Sequence, residues 1–147
     1  MGIQEIDVRE TSNAAPEQLW ALLDKSATWP EWTPIETFKL ERPAGEDGLG
    51  EIRLFKTGRV TVREEIVERR PPERLTYVLL GGLALKDYRA EIDLRPAGPG
   101  TEIRWHTTFR AKVPGAGWIY RRALERITKE FVAGLATHVQ PISAQGE

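Results

Sequence analysis

Two consecutive alternating stretches, joined by a glycine and proline turn, limit what this chain can fold into more than any other feature. In Asp87 to Pro96, Tyr88, Ala90, Ile92 and Leu94 alternate with Asp87, Arg89, Glu91, Asp93 and Arg95, the period of a strand with one face buried and one in water. After Ala97-Gly98-Pro99-Gly100 the period resumes through Thr101 to Arg110. Ile103, Trp105, Thr107 and Phe109 point one way, and Glu102, Arg104, His106 and Arg110 the other. The pair predicts a long antiparallel hairpin whose apolar face needs a cover.

That cover is expected near the C-terminus. From Gly117 to about Val139 the period changes to that of a helix: Tyr120, Leu124, Ile127, Phe131, Leu135 and His138 share one face, and Arg122, Glu125, Arg126 and Lys129 the other. Glu125 and Lys129 stand at i, i+4 in the favourable order. Weaker alternation marks strands at Ile3 to Thr11, Glu51 to Thr57, Val60 to Glu68 and Arg74 to Leu80. Pro16 suits the first turn of a short helix with Leu19, Leu22 and Leu23 on one side, and the Trp29/Trp32 spacing suits a second. With 147 residues, 40% of them apolar and 29% charged, the chain supports one core, and residues 1–147 read as a single domain. The expected fold is α+β: a curved antiparallel sheet of about six or seven strands wrapped around the long C-terminal helix, with two short helices after the first strand. Sheet and helix seldom fill all the space between them, so a ligand cavity is expected there.

Charge and composition exclude several functions. The 21 Lys and Arg are interspersed with 22 Asp and Glu, so no positive field exists to hold nucleic acid. No apolar run approaches the roughly 20 residues that span a bilayer, and no charged-then-apolar signal opens the chain. A cytoplasmic location is expected, and the absence of Cys agrees with a reducing compartment. Two His and no ligand-spaced acidic cluster argue against a metal. Gly115-Ala116-Gly117 matches neither dinucleotide-binding nor P-loop spacing, so no cofactor is expected. This loop reads as one lip of the cavity mouth, opposite the loop from Gly81 to Lys86. Ser12, Ser26 and Ser143 sit in no nucleophile elbow.

Four stretches carry a resemblance to a known family: Ala15-Pro16-Glu17-Gln18-Leu19-Trp20, Trp29-Pro30-Glu31-Trp32-Thr33-Pro34, Pro71-Pro72-Glu73-Arg74-Leu75-Thr76-Tyr77 and Gly100-Thr101-Glu102-Ile103-Arg104-Trp105. Together they resemble the START-like (SRPBCC) superfamily, the helix-grip fold of the birch-pollen allergen, lipid-transfer domains and aromatic polyketide cyclases. The nearest branch is the bacterial polyketide cyclase/dehydrase and lipid-transport family. The resemblance implies a hydrophobic ligand cavity. It brings no universal catalytic motif, and fold alone does not assign function.

Glu64 is the most informative candidate. If Val60, Val62 and Ile66 face the cavity, period 2 places Glu64 among them, a carboxylate in an apolar space that would act as a general base or orient a polar ligand group. The plainer alternative, given more weight here, is a bulge, or a strand register other than this one, that puts Glu64 in solvent beside Glu65. Tyr77, Tyr88 and Trp105 are the expected aromatic lining, each offering a polar tip as well as a ring, and core packing would explain them equally well. Thr107 on the hairpin and Phe131 and Leu135 on the helix complete the expected ligand contacts. His106 belongs to the outer face. His138 falls near the end of the helix on its apolar side, within reach of a ligand, and the plainer reading is that a histidine in the last turn favours the negative end of the dipole. Arg121, Arg122 and Arg126 form a modest basic cluster that suits an acidic ligand head or partner, with a solvated helix face balanced by Glu125 as the default reading.

The leading expectation is binding of a hydrophobic or aromatic small molecule of polyketide, lipid or isoprenoid type. The second is a cofactor-independent cyclase or dehydratase in which Glu64 or a pocket tyrosine moves protons. A protein-interaction module ranks third, because the outer sheet face alternates in charge. Oligomeric state is not legible at this level.

Overall fold

The computed structural model describes residues 2–138. Strand β1 (Gln4–Ser12) leads into helix α1 (Pro16–Asp24), a 3-10 turn (Ser26–Thr28) and the short α2 (Trp29–Trp32). Strands β2 (Thr37–Arg42), β3 (Ile52–Thr57), β4 (Val60–Arg70), β5 (Arg74–Gly81), β6 (Leu85–Ala97) and β7 (Gly100–Ala111) follow, and α3 (Gly117–His138) closes the described chain. The strands form one seven-stranded sheet in the order β1-β7-β6-β5-β4-β3-β2. Every pairing is antiparallel. The helix-grip architecture expected from the sequence is the one found. Strand β2 was not among the expected elements: it is an edge strand in which only Phe38 is half-buried, so it shows no burial period to read.

Helix α3 packs chiefly on β1 and β7. Its buried stripe is Thr128, Val132, Leu135 and Ala136, rotated from the stripe expected through Tyr120, Leu124, Ile127 and His138. Ile127 is 41% exposed, and the helix's acid–base pair at this spacing joins Arg121 to Glu125 at 3.9 Å rather than Glu125 to Lys129. Helix α3 also approaches α2 closely. A side chain at Gly134 would put its first carbon 1.8 Å from the Trp32 carbonyl oxygen, so glycine lets α3 rest directly on α2. Ser12 donates to the Ala136 carbonyl at 2.7 Å and fastens the other side of the helix to β1.

Trp29 explains why its sequence stretch matters. It is fully buried, donates from Nε1 to the Leu23 carbonyl at 3.1 Å, and stands among Trp32, Phe55, Trp105 and Phe131 at centroid distances of 4.9, 5.3, 5.6 and 6.2 Å. Such ring pairs add to the burial of their area. Among the described residues, no helix is long and apolar enough to cross a membrane.

Candidate ligand-binding site

Where α3 rises off the sheet, a cavity of about 290 Å³ opens between its middle turns and β3 to β6. Phe55, Val62 and Leu79 line the sheet side, and Leu124, Ile127 and Phe131 the helix side. Pro34, Ile35 and Leu83 close the flanks, and Thr57, Val60 and Glu130, all exposed, stand at the rim. Glu64, Tyr77 and Tyr88 are the buried or half-buried polar groups of the wall.

Glu64 is buried at 7% exposure and lines the cavity, so it does not lie in solvent beside Glu65. The register does shift between Arg63 and Glu64 in the pairing with β5, but Glu64 keeps the inward direction of Val62 and Ile66. The two-residue turn Gly58-Arg59, with Gly58 at φ 60°, sets the β3–β4 register and pairs Glu64 with Arg53. Arg53 is wholly buried, with Nε and Nη2 each 3.0 Å from Glu64 Oε1. Nε donates a well-aligned hydrogen bond, whereas Nη2 approaches off-axis and makes no aligned bond. The guanidinium carbon lies 4.0, 4.7 and 4.8 Å from the ring centres of Trp29, Phe55 and Tyr77, a cation enclosed by aromatic rings.

The polar line continues outward. Arg53 Nη1 donates to Ser26 Oγ at 3.0 Å, and that hydroxyl donates to Glu51 Oε2 at 2.5 Å. Arg69 then bridges Glu51, at 2.9 Å, to Asp24, at 2.8 Å. Burial pushes the Glu64 carboxyl above the ordinary glutamate range, and the Arg53 charge pulls it partly back. Burial also pushes both phenols up, with the nearby Glu64 charge adding to the effect, so Tyr77 and Tyr88 stay neutral.

Of the residues singled out in the sequence, Glu64, Tyr77, Tyr88 and Phe131 line this cavity, and Trp105, Thr107 and Leu135 do not. Trp105 lies behind the wall, 5.6 Å from both Trp29 and Phe131. Thr107 and Leu135 are fully buried. These residues sit where α3 lies flat on the sheet and leaves no space. Leu83 puts the Gly81 to Lys86 loop at the cavity, but Gly115 and Gly117 line a separate polar hollow with Lys86 and Arg110. His106 faces outward, its Nε2 2.6 Å from Glu5, and exposed His138 lies 3.8 Å from Glu31. Ser26 serves the polar line, and Ser143 lies outside the described residues. Among the described residues, no three His, Cys, Asp or Glu side chains gather to hold a metal.

Arg53 was missed because an arginine in a weakly alternating strand reads as an outer-face residue. The signal was present: a two-residue turn at Gly58-Arg59 pairs Arg53 with Glu64, and inward Phe55 fixes the direction of Arg53.

Residues 4–140 match the family described as polyketide cyclase/dehydrase and lipid transport. The chain belongs to that family. Solved structures share its helix-grip fold across nearly all of the chain. A START superfamily protein from Mycobacterium smegmatis superposes with a TM-score of 0.80 at 14% identity, over 94% of this chain and 97% of that one. XoxI from Bacillus cereus gives 0.74 at 18% identity, over 94% and 95%. The di-domain ARO/CYC StfQ from the steffimycin biosynthetic pathway gives 0.77 at 15% identity, over 91% of this chain and 49% of that one. At these identities the likeness speaks for fold. No match is found among curated proteins.

Proposed function

We propose that this protein binds a compact hydrophobic or aromatic molecule, of polyketide, lipid or isoprenoid type, in the cavity between β3–β6 and α3. The observation that carries the reading is an apolar space with three convergent polar groups, Glu64, Tyr77 and Tyr88, the composition of a ligand site rather than a packing flaw. At about 290 Å³ it stands at the small end of ligand cavities, which run from roughly 300 Å³ upward. The space suits a ring system or a short chain better than a two-chain lipid. Native mass spectrometry of protein purified from its own host tests this, with Leu79→Trp filling the cavity as control. A co-purifying hydrophobic molecule that is lost on denaturation and absent from L79W is the expected result. An empty protein that also ignores a panel of aromatic and lipid ligands contradicts it.

A cyclase or dehydratase remains the second reading, favoured by one observation: Glu64 is a buried carboxylate beside two neutral phenols. Turnover of the captured ligand that disappears in Glu64→Gln while binding persists selects the enzyme. The outer sheet face gives a partner little apolar surface, since Arg104–Asp7 and Arg74–Asp93 pair across it at 2.9 and 2.6 Å.

A further inference from the structure

The charge around the cavity narrows the ligand class, on the reading that the cavity binds a small molecule. The lining contains two carboxylates, Glu64 and Glu130, and no lysine, arginine or histidine. The cation behind the wall is Arg53, and it does not serve a ligand. It is 0% exposed, roofed by Trp29, Phe55 and Tyr77, and directed at Glu64 Oε1 and Ser26. A ligand anion would reach it only by displacing those rings.

Glu64 is different. Only Oε1 meets Arg53, and Oε2 makes no hydrogen bond among the described residues. An ionised carboxylate accepts and never donates, so the group that satisfies it must carry a proton. Tyr77 and Tyr88 can donate to a ligand oxygen or accept from its hydroxyl. A ligand carboxylate brought to the same wall would set like charges together where little water screens them, and Glu130 at the rim opposes its entry.

We propose that the cavity selects hydroxyl-bearing neutral ligands, phenols or alcohols, and rejects the carboxylic acid of the same carbon skeleton. Glu64 is the residue that reads the hydroxyl. The choice lies in this chain's own charges and needs no cofactor.

The test compares 2-naphthol, naphthalene and 2-naphthoate at neutral pH, by calorimetry or by quenching of tryptophan fluorescence in the wild-type protein. The expected order is naphthol first, naphthalene several-fold weaker, and naphthoate at least about tenfold weaker than naphthol. In Glu64→Gln, checked for folding by its melting curve, the preference for naphthol over naphthoate shrinks to about threefold or less. Naphthoate binding as tightly as naphthol in the wild type overturns the selectivity while leaving the binding reading intact. Failure of all three to bind overturns the binding reading and this inference with it.

Discussion

The β6–β7 and β3–β4 hairpins belong to one sheet, yet their inner faces solve opposite problems. On β6–β7, Ile92, Leu94, Ile103, Trp105 and Phe109 are all buried beneath the helices, and nothing charged interrupts them. On β3–β4, Phe55, Val62 and Ile66 share the inner face with Arg53 and Glu64, and a cavity lies above them. Apart from Tyr88, which lines the cavity, the first hairpin is covered by side chains in contact, the second partly by open space. The polar groups stand beside that space, supported by the line through Ser26, Glu51 and Arg69. One half of the sheet is packed solid, and the other carries the cavity and its polar groups.

The contrast can be broken most directly at Arg53. Removing it in Arg53→Met leaves Glu64 buried without its counter-ion, at a cost of about 3–5 kcal/mol in chemical denaturation. The double change Arg53→Met with Glu64→Leu is expected to recover most of that loss, because a buried pair replaced by apolar groups is often neutral. A double variant as unstable as the single one would show that the polar line, and not charge balance, holds β3 and β4. A dry-half comparison uses Gly134→Ala, where one added methyl meets the Trp32 carbonyl. It costs about 1–3 kcal/mol or more despite alanine's better helix propensity. The cavity half should accept a similar addition: Val62→Leu is expected to change stability by less than about 1 kcal/mol while weakening ligand binding.

The smallest effect is a pH dependence, and its sign differs between the two faces of the sheet. Glu64 has a raised pKa when folded, so its contribution to stability is full below the unfolded value of about 4.5 and is lost as pH rises through the folded one. Asp7, held low by its hydrogen bond from Arg104, contributes stability above about 3.8 that is lost as pH falls through its folded value. Denaturation from pH 7 to pH 3 should therefore show the wild type gaining on Glu64→Gln as pH falls toward about 4.5. Against Asp7→Asn it should lose ground below about 3.8. Parallel profiles for the two variants would contradict the contrast.

The same contrast governed what could be read in advance. The β6–β7 period was plain because each strand has one dry and one wet face, and only the bulge between Lys86 and Arg89, with Asp87 at φ 56°, interrupts it. Strand β2 was illegible because neither face is well buried. Arg53 was illegible because charge on an inner face breaks the rule by which inner faces are recognised. Glu64 was visible as a candidate, but choosing between cavity and solvent required the β3–β4 pairing and the position of Arg53. Trp105, Thr107 and Leu135 point inward as their periods indicate. Whether an inward side chain meets the cavity or a neighbour depends on how α2 and α3 cover the sheet, and the contact of Gly134 with Trp32 between those helices leaves no mark on strand periodicity.

The central claim is that the space above β3–β4, and not the packed region beneath α3, receives the ligand. The most direct measurement is a ¹H–¹⁵N spectrum of the protein titrated with 2-naphthol. The account predicts shifts concentrated on β3, β4 and β5 near Phe55, Glu64 and Tyr77 and on α3 near Leu124 and Phe131, with Ile103 and Leu135 essentially still. Shifts centred on the Gly115 hollow or the outer sheet face, or no shifts at all, would contradict it.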